Sequence, residues 1–357
     1  MSTSYTWVGW NRQKRLYDAV LGAGVIGYLA VFMALGWVGT APERRVSDVI
    51  LLIRAMGTCS FLMLSIILCI GPLARLDARF LPLLYNRRHF GVLTFIVALA
   101  HASLSTLWYH GFGDTNALLS LLTANTNYLS LTQFPFEILG VGALLILFLM
   151  AATSHDFWLK NLTPRVWKTL HMGVYGAYAL LVMHVALGAL QSERSVVYPV
   201  LTLLSVATVG GLHVVAGRRE TAFDRAAPEP AEGWIDVCDL EEIPEKRARN
   251  VCVRGADGLA RERIAVFKYD GKVAAVSNVC AHQSGPLGEG KVVDGCITCP
   301  WHGYQYLPES GRSPPPFTEK IHTYRVTLRG RRVLVDPSPL PEGTPLSPAV
   351  IGELPDA

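Results

Sequence analysis

The chain has 357 residues, 51% of them hydrophobic and only 17% charged, an apolar excess that rules out an ordinary soluble protein and assigns much of the sequence to lipid. Its net charge of +4 is the mild excess that the cytoplasmic flanks of membrane helices supply, and it gives no ground for a nucleic-acid partner. Seven cysteines, two of them inside apolar runs, do not form the evenly paired framework of a small secreted domain, which fits a reducing compartment for the soluble part.

In chain order, six apolar runs occupy residues 17–39, 48–71, 90–110, 133–153, 167–190 and 196–217, each near the ~20 residues that cross a bilayer. The first follows Arg12, Lys14 and Arg15 and is too long for a signal-peptide core, so it reads as a retained helix. Within it, Gly22-Ala-Gly24-Val-Ile-Gly27 spells a nucleotide fingerprint. The fingerprint works only between a strand and a helix N-terminus, and tight helix packing by small residues is the better account here. No other segment offers a nicotinamide or flavin site, so electrons must come from a separate donor.

Loop charges set the orientation, because Lys and Arg accumulate on the cytoplasmic side of short loops. One set of flanks carries Arg12, Lys14, Arg15, Arg75, Arg79, Arg87, Arg88, Lys160, Arg165, Lys168, Arg218 and Arg219; the other carries Arg44, Arg45 and Arg194. The expectation is a multi-pass plasma (inner) membrane protein with both termini cytoplasmic.

After the last run the composition turns to Pro, Ala and acidic residues, then to short β-favouring stretches, Ile264–Tyr269, Val273–Val276 and Tyr324–Leu328, cut by Asp270-Gly271, Asp294-Gly295 and Arg329-Gly330-Arg331. The predicted fold class is an all-α six-helix transmembrane bundle followed by a small all-β domain. The bundle covers residues 1–220, a linker 221–233, the β domain 234–337 and a loosely ordered, Pro-rich tail 338–357.

Inside the β domain, Cys280-Ala-His282 and Cys299-Pro-Trp-His302 give C-x-H and C-x-x-H in two loops. A Rieske-type [2Fe–2S] cluster needs two thiolates on one iron and two imidazoles on the other, one of each from each loop, and this pattern supplies them. Tetrahedral zinc also takes Cys and His, but zinc fingers pair like with like at such spacings. Cys296, three before Cys299, mimics a C-x-x-C redox pair and reads instead as a bystander thiol.

The stretch Cys299-Pro-Trp-His302-Gly303, with the run Gly311 to Lys320, resembles Rieske ferredoxins and the ferredoxin-like domains of ring-hydroxylating oxygenases. The resemblance implies that Cys280, His282, Cys299 and His302 hold the cluster. Against the Rieske proteins of cytochrome bc complexes, the places of the extra disulfide cysteines hold Gly285 and Trp301, and Tyr304 stands where a serine donates to the cluster. Fewer donors to the sulfurs imply a potential in the lower part of the Rieske span of about −150 to +300 mV. An oxygenase would need a further mononuclear iron site of two His and a carboxylate, and only His322 remains.

A histidine inside a membrane helix is costly unless it ligates, pairs or faces a cavity. His101, His171, His184 and His213 fall inside the runs, and His89, His110 and His155 at their ends. Measured from the basic flanks at ~1.5 Å per residue, His101 and His184 lie at similar depth toward the outer face, where they can share a haem. His171 and His89 lie near the cytoplasmic face, with His213 and His155 as competing partners. Spacing on the fifth helix suits two stacked haems, although the side chains of His171 and His184 diverge by roughly 140° on an ideal helix.

Arg87-Arg88-His89-Phe90-Gly91 through Ala100-His101, together with Trp167-Lys168-Thr169-Leu170-His171 and His184, resembles the ferric reductase-like transmembrane domain. That family includes the haem subunit of bacterial periplasmic methionine sulfoxide reductase and, more distantly, the membrane half of NADPH oxidases. The resemblance implies haem b, one or two per chain. NADPH oxidases carry a second histidine further along the third helix, where this chain has Asp114 and Thr115, so the outer pair is better supported than the inner.

The expected function is membrane electron transfer. A cytoplasmic donor, a reductase or ferredoxin, would feed the cluster and haem b, and the acceptor would be an extracytoplasmic protein, ferric iron or quinone. The alternative is a membrane-tethered Rieske ferredoxin without haem, serving a partner protein as donor or redox sensor. Loop 111–132 is the candidate docking surface for the acceptor.

Overall fold

The computed structural model describes residues 12–39, 45–84, 86–154, 158, 162, 164–192, 195–225, 228, 231, 233–254, 261–282, 284–301 and 303–352. The chain divides into two compact units, residues 10–215 and a second built on residues 216–357.

The first unit is helical. Its principal helices are α1 (Arg12–Val38), α2 (Asp48–Leu76), α3 (Arg87–His110), α4 (Glu137–Ala152), α5 (Pro164–Leu187) and α6 (Val197–Arg225). All but α4 are long and apolar enough to cross a membrane. At 16 residues, α4 rises only ~24 Å, which corrects the expectation of six full-length spans. Pro135 explains the shortfall, because a residue before proline is pushed out of the helical region, leaving residues 133–136 of the apolar run outside the helix.

Helix α2 opens on Ser47, whose side chain accepts the Ile50 N–H at 3.3 Å, with Asp48 in the first turn where a negative charge complements the helix dipole. It is the central element. One face packs Phe61, Leu64 and Leu68 against Ala143 and Leu147 of α4, Ala177 and Tyr178 of α5 and Val209 of α6. The other packs Met56, Met63 and Ile70 against Phe90 and Val97 of α3 and the partly buried Leu21, Val25 and Tyr28 of α1. The small-residue stripe of α1 does not pack as expected. A Cβ added at Gly22, Gly24 or Gly27 would meet no atom of the described residues within 4 Å.

The second unit is all-β apart from the end of α6. Its strands are β1 (Ile235–Asp239), β2 (Arg247–Arg254), β3 (Arg261–Tyr269), β4 (Lys272–Ser277), β5 (Lys291–Val293), β6 (Cys296–Thr298), β7 (Gln305–Tyr306), β8 (Thr323–Tyr324), β9 (Val326–Arg329), β10 (Arg332–Val335) and β11 (Ala349–Val350). They form three antiparallel sheets, β1-β10-β9, β11-β4-β3-β2 with β8 added on β4, and β5-β6-β7. Asp270-Gly271 and Asp294-Gly295 both adopt positive φ at the β3–β4 and β5–β6 turns, the conformation that tight hairpins require and Gly or Asp tolerates.

Strand β3 is buried on both faces. Ile264 and Val266 join one apolar core with Ile235, Val253 and Val333. Ala265, Phe267 and Tyr269 join a second with Cys280, Cys299, Tyr304 and Tyr306. The period-2 alternation of a strand thus serves two cores at once.

Two further expectations are corrected. Helix α6 continues to Arg225, through the first residues of the expected linker. Arg263 of β3 pairs with Glu220 and, at 2.8 Å, with Asp224, and lies 5.6 Å from the Phe223 ring. The tail is not loose either. Leu346 N–H donates to Glu309 O, Gly343 N–H to Ile321 O, Leu340 N–H to Thr323 O and Ile351 N–H to Gly271 O, and β11 pairs with β4. These are mostly long-range backbone bonds without side-chain periodicity, so composition does not reveal them.

Candidate functional site

The β5-β6-β7 sheet and the loop after β4 present the cluster residues. Cys280 precedes a turn in which its N–H donates to Gly285 O at 2.9 Å and its carbonyl accepts from Ser284 N–H at 2.7 Å. Cys299 follows β6, donating to Tyr304 O at 2.8 Å and accepting from Gly303 N–H at 2.9 Å. Each cysteine is thereby held at the base of its own backbone loop, and both side chains are buried at 1% exposure.

The two loops touch through Gly285. A Cβ there would stand 2.7 Å from Cys299 Sγ and 3.2 Å from the Trp301 ring, so only glycine lets the loops close. Gly285 and Trp301, expected from the sequence to stand where cytochrome bc Rieske proteins have an extra disulfide, therefore face each other as a packing contact. His282 stacks on Tyr304, with ring centroids 4.7 Å apart and planes 8° from parallel. His302 lies outside the described residues.

Tyr304 and Tyr306 divide two roles. The Tyr304 hydroxyl donates to Glu319, so it does not replace the expected serine as a donor to sulfur. Tyr306, which the motif does not mark, does reach sulfur: its hydroxyl lies 3.3 Å from Cys280 Sγ. When Cys280 is a metal-bound thiolate, only the tyrosine can donate. Burial, then the neighbouring Cys280 and Cys299 sulfurs, push the Tyr306 pKa far up, keeping that O–H in place. Burial also pushes up the Cys296 thiol, with Asp294 adding to the shift, which is the signature of an inert thiol.

Fit to a [2Fe–2S] group rests on this donor chemistry. Two buried cysteines come from two loops in contact, one of them with its sulfur 3.3 Å from the Tyr306 hydroxyl, and the bare face of Gly285 keeps the space beside Cys299 Sγ clear.

In the helical unit, His101 Nδ1 lies 2.9 Å from Ile53 O on α2, and His184 Nδ1 lies 2.8 Å from Phe136 O at the start of α4. A carbonyl only accepts, so both rings carry the proton on Nδ1 and present an unprotonated Nε2. This is the arrangement of a metal-ligating histidine whose second nitrogen is oriented by the protein. The two imidazoles come from different helices, α3 and α5. In donor chemistry, two neutral imidazoles each with Nε2 left for a metal, these residues fit a haem iron.

Near the other end of the unit, His171 Nδ1 donates to Trp167 O at 3.0 Å, stacks on the Trp167 ring at 3.8 Å and has Nε2 at 3.5 Å from Ser154 Oγ. His89 Nδ1 donates to both oxygens of Asp18 at 2.9–3.0 Å. Of the competing partners, His213 has both nitrogens engaged, by Val209 O and the Tyr175 hydroxyl, and His155 lies outside the described residues. His110 meets Ser120 Oγ at 3.0 Å.

Comparison with known proteins divides the chain in the same way. Residues 56–182 match the ferric reductase like transmembrane component, and residues 233–325 the Rieske [2Fe-2S] domain. The ferredoxin component of the naphthalene 1,2-dioxygenase system of Pseudomonas aeruginosa is 33% identical over 29% of this chain and 96% of its own length. The ferredoxin component of the naphthalene 1,2-dioxygenase/salicylate 5-hydroxylase systems of Ralstonia sp is 30% identical over 29% of this chain and 95% of its own length. Among solved structures, a complex of reduced oxygenase and oxidized ferredoxin in carbazole 1,9a-dioxygenase matches 31% of this chain and 100% of that one, at 24% identity and a TM-score of 0.28. With its cysteine loops and its apolar helices, the chain belongs to the Rieske [2Fe–2S] family and joins that domain to a ferric reductase-like transmembrane component, as a membrane electron-transfer oxidoreductase.

Proposed function

We propose that the chain passes single electrons from a cytoplasmic donor, a reductase or ferredoxin, through the membrane to an extracytoplasmic protein, ferric iron or quinone. When bound, the [2Fe–2S] cluster and haem b supply one-electron carriers that no side chain here provides. Cys280, His282, Cys299 and His302 would hold the cluster and His101 with His184 a haem, while His171 and His89 are the candidates for a second. The observation that carries the reading is the matched pair of Nδ1–H bonds to Ile53 O and Phe136 O, which turns two half-buried imidazoles from different helices into neutral donors, at the similar depth the sequence predicts.

The protein's own contribution is preorganisation. Two main-chain carbonyls fix the tautomer before any metal arrives, so ligation requires no proton release from these rings. The helices that carry these contacts pack on one another through apolar side chains, Phe61, Leu64, Ala143 and Ala177 among them. At the other site both cysteines are buried and the Tyr306 hydroxyl stands 3.3 Å from Cys280 Sγ.

The test is substitution with two independent readouts. His101→Ala and His184→Ala should each remove the same b-type absorbance band from purified protein and leave the low-field Rieske EPR signal intact. Unchanged haem content in either variant would overturn the ligand assignment. A Rieske signal with no haem in the native protein would favour the tethered-ferredoxin alternative.

A further inference from the structure

The two outer histidines are seated by the same device. Ile53 and Gly57 are one turn apart on α2, and Phe136 and Gly140 one turn apart at the start of α4. In each case the histidine donates to the carbonyl of the first residue, and its ring lies over the second. A Cβ at Gly57 would stand 2.8 Å from His101 Cε1 and 3.0 Å from Nδ1; a Cβ at Gly140 would stand 2.9 Å from both atoms of His184.

The repetition has a physical reason. A helical side chain covers the turn N-terminal to its own Cα, so the residue at i+4 shields the outward lone pair of the carbonyl at i. Only glycine uncovers that oxygen. Glycine inside a helix costs about 1 kcal/mol relative to alanine, and at both of these positions the imidazole occupies the space a Cβ would take. Other helical glycines do not share it. Gly91, Gly210 and Gly211 meet nothing within 4 Å among the described residues.

We propose that Gly57 and Gly140 are positioning residues for His101 and His184, each uncovering one helix carbonyl so that the imidazole is locked with its proton on Nδ1 and Nε2 open to haem iron. The inference rests on the haem reading above and adds the part of the protein that sets ring orientation. Neither glycine touches the metal; each acts through its histidine. Loss of the Nδ1–H bond removes electron donation from the ligand, so the ferric state is less stabilised and the ring is free to rotate.

The experiment uses the purified full-length protein and the variants Gly57→Ala, Gly140→Ala and Gly36→Ala, with the doubles Gly57→Ala/His101→Ala and Gly140→Ala/His184→Ala. Low-spin ferric haem EPR, haem per Rieske spin, haem potential and thermal midpoint are read together. Gly57→Ala and Gly140→Ala should shift or abolish the low-spin haem signal, raise the potential of any haem retained and leave the Rieske signal unchanged. Gly36→Ala, whose Cβ would meet Leu51 side-chain atoms at 2.6 Å, introduces comparable crowding away from both histidines and should keep the native haem signature.

A double-mutant cycle decides the case where a single variant folds poorly. The thermal or expression penalty of Gly57→Ala should disappear in the His101→Ala background, and that of Gly140→Ala in the His184→Ala background. Equal penalties in both backgrounds, or native haem spectra and potentials in both glycine variants, would overturn the proposal. Absence of haem from the native protein would instead overturn the functional reading; the cycle, which needs no haem, would still report whether each glycine seats its ring.

Discussion

Tyr306 shows what one side chain adds beyond a motif. The four-residue pattern of Cys280, His282, Cys299 and His302 is legible in sequence because iron chemistry dictates both residue types and pairing. The Tyr306 contact with Cys280 spans 26 positions and depends on how β7 is laid beside the loop, which no local pattern encodes. A hydroxyl donating to a ligating sulfur stabilises the reduced, more negative cluster. Tyr306→Phe should therefore lower the cluster potential by on the order of 50–100 mV, since about 59 mV corresponds to a tenfold change for one electron. Tyr304→Phe should move it less, because that hydroxyl serves Glu319. An EPR-monitored redox titration of both variants measures the difference, and equal shifts would contradict the assignment of donors.

At the scale of elements, long features were legible and short ones were not. Asp-Gly turns and alternating strands announce β3 and β4, and apolar runs announce all six principal helices, five of them at full spanning length. Pro135 shortens α4, and the two-residue strand β11 has no sequence signal at all. Ending the chain after Asp336 should expose the β4 edge and remove the bonds from Leu340, Gly343, Leu346 and Ile351. A loss of about 1–2 kcal/mol would lower the thermal midpoint of the domain by roughly 4–16 °C, read as temperature-dependent loss of the cluster absorbance; an unchanged midpoint would mean the tail adds nothing.

The β1–β10 end offers a pH test at the same scale. The Arg331 guanidinium, then the Glu241 N–H, hold the Asp239 carboxyl below the usual carboxylate range. A depressed folded pKa contributes stability that is present above the unfolded value of about 3.9 and is lost as pH falls through the folded value. Asp239→Asn should therefore be less stable than the native domain at neutral pH, with the difference in thermal midpoint shrinking steadily below about pH 4. A difference independent of pH would assign the effect to capping geometry alone.

For the whole molecule, the basic flanks of one set of loops carry the orientation. Protease added to sealed right-side-out cells should spare the Rieske domain, while permeabilised cells should lose it, as followed by antibody to the C-terminal residues. Digestion in sealed cells would reverse the proposed direction of electron flow. The two halves of the chain were separable from composition alone. The histidine seats were not, because Gly57 and His101 lie on different helices, and Gly140 and His184 likewise, and become neighbours only when the hairpins close.

Strand β3, packed on both sides, has a consequence for the kinds of heritable change this domain can absorb. A single inserted or deleted codon between Ile264 and Tyr269 would exchange the two sets of side chains, sending Phe267 and Tyr269 into the core of Ile235 and Val333 and bringing Ile264 and Val266 under the cysteine loops. Neither core has matching room. Length variation is thus confined to turns such as Asp270-Gly271 and Asp294-Gly295, while within β3 only substitution is open, and the framework around the cysteines keeps its register.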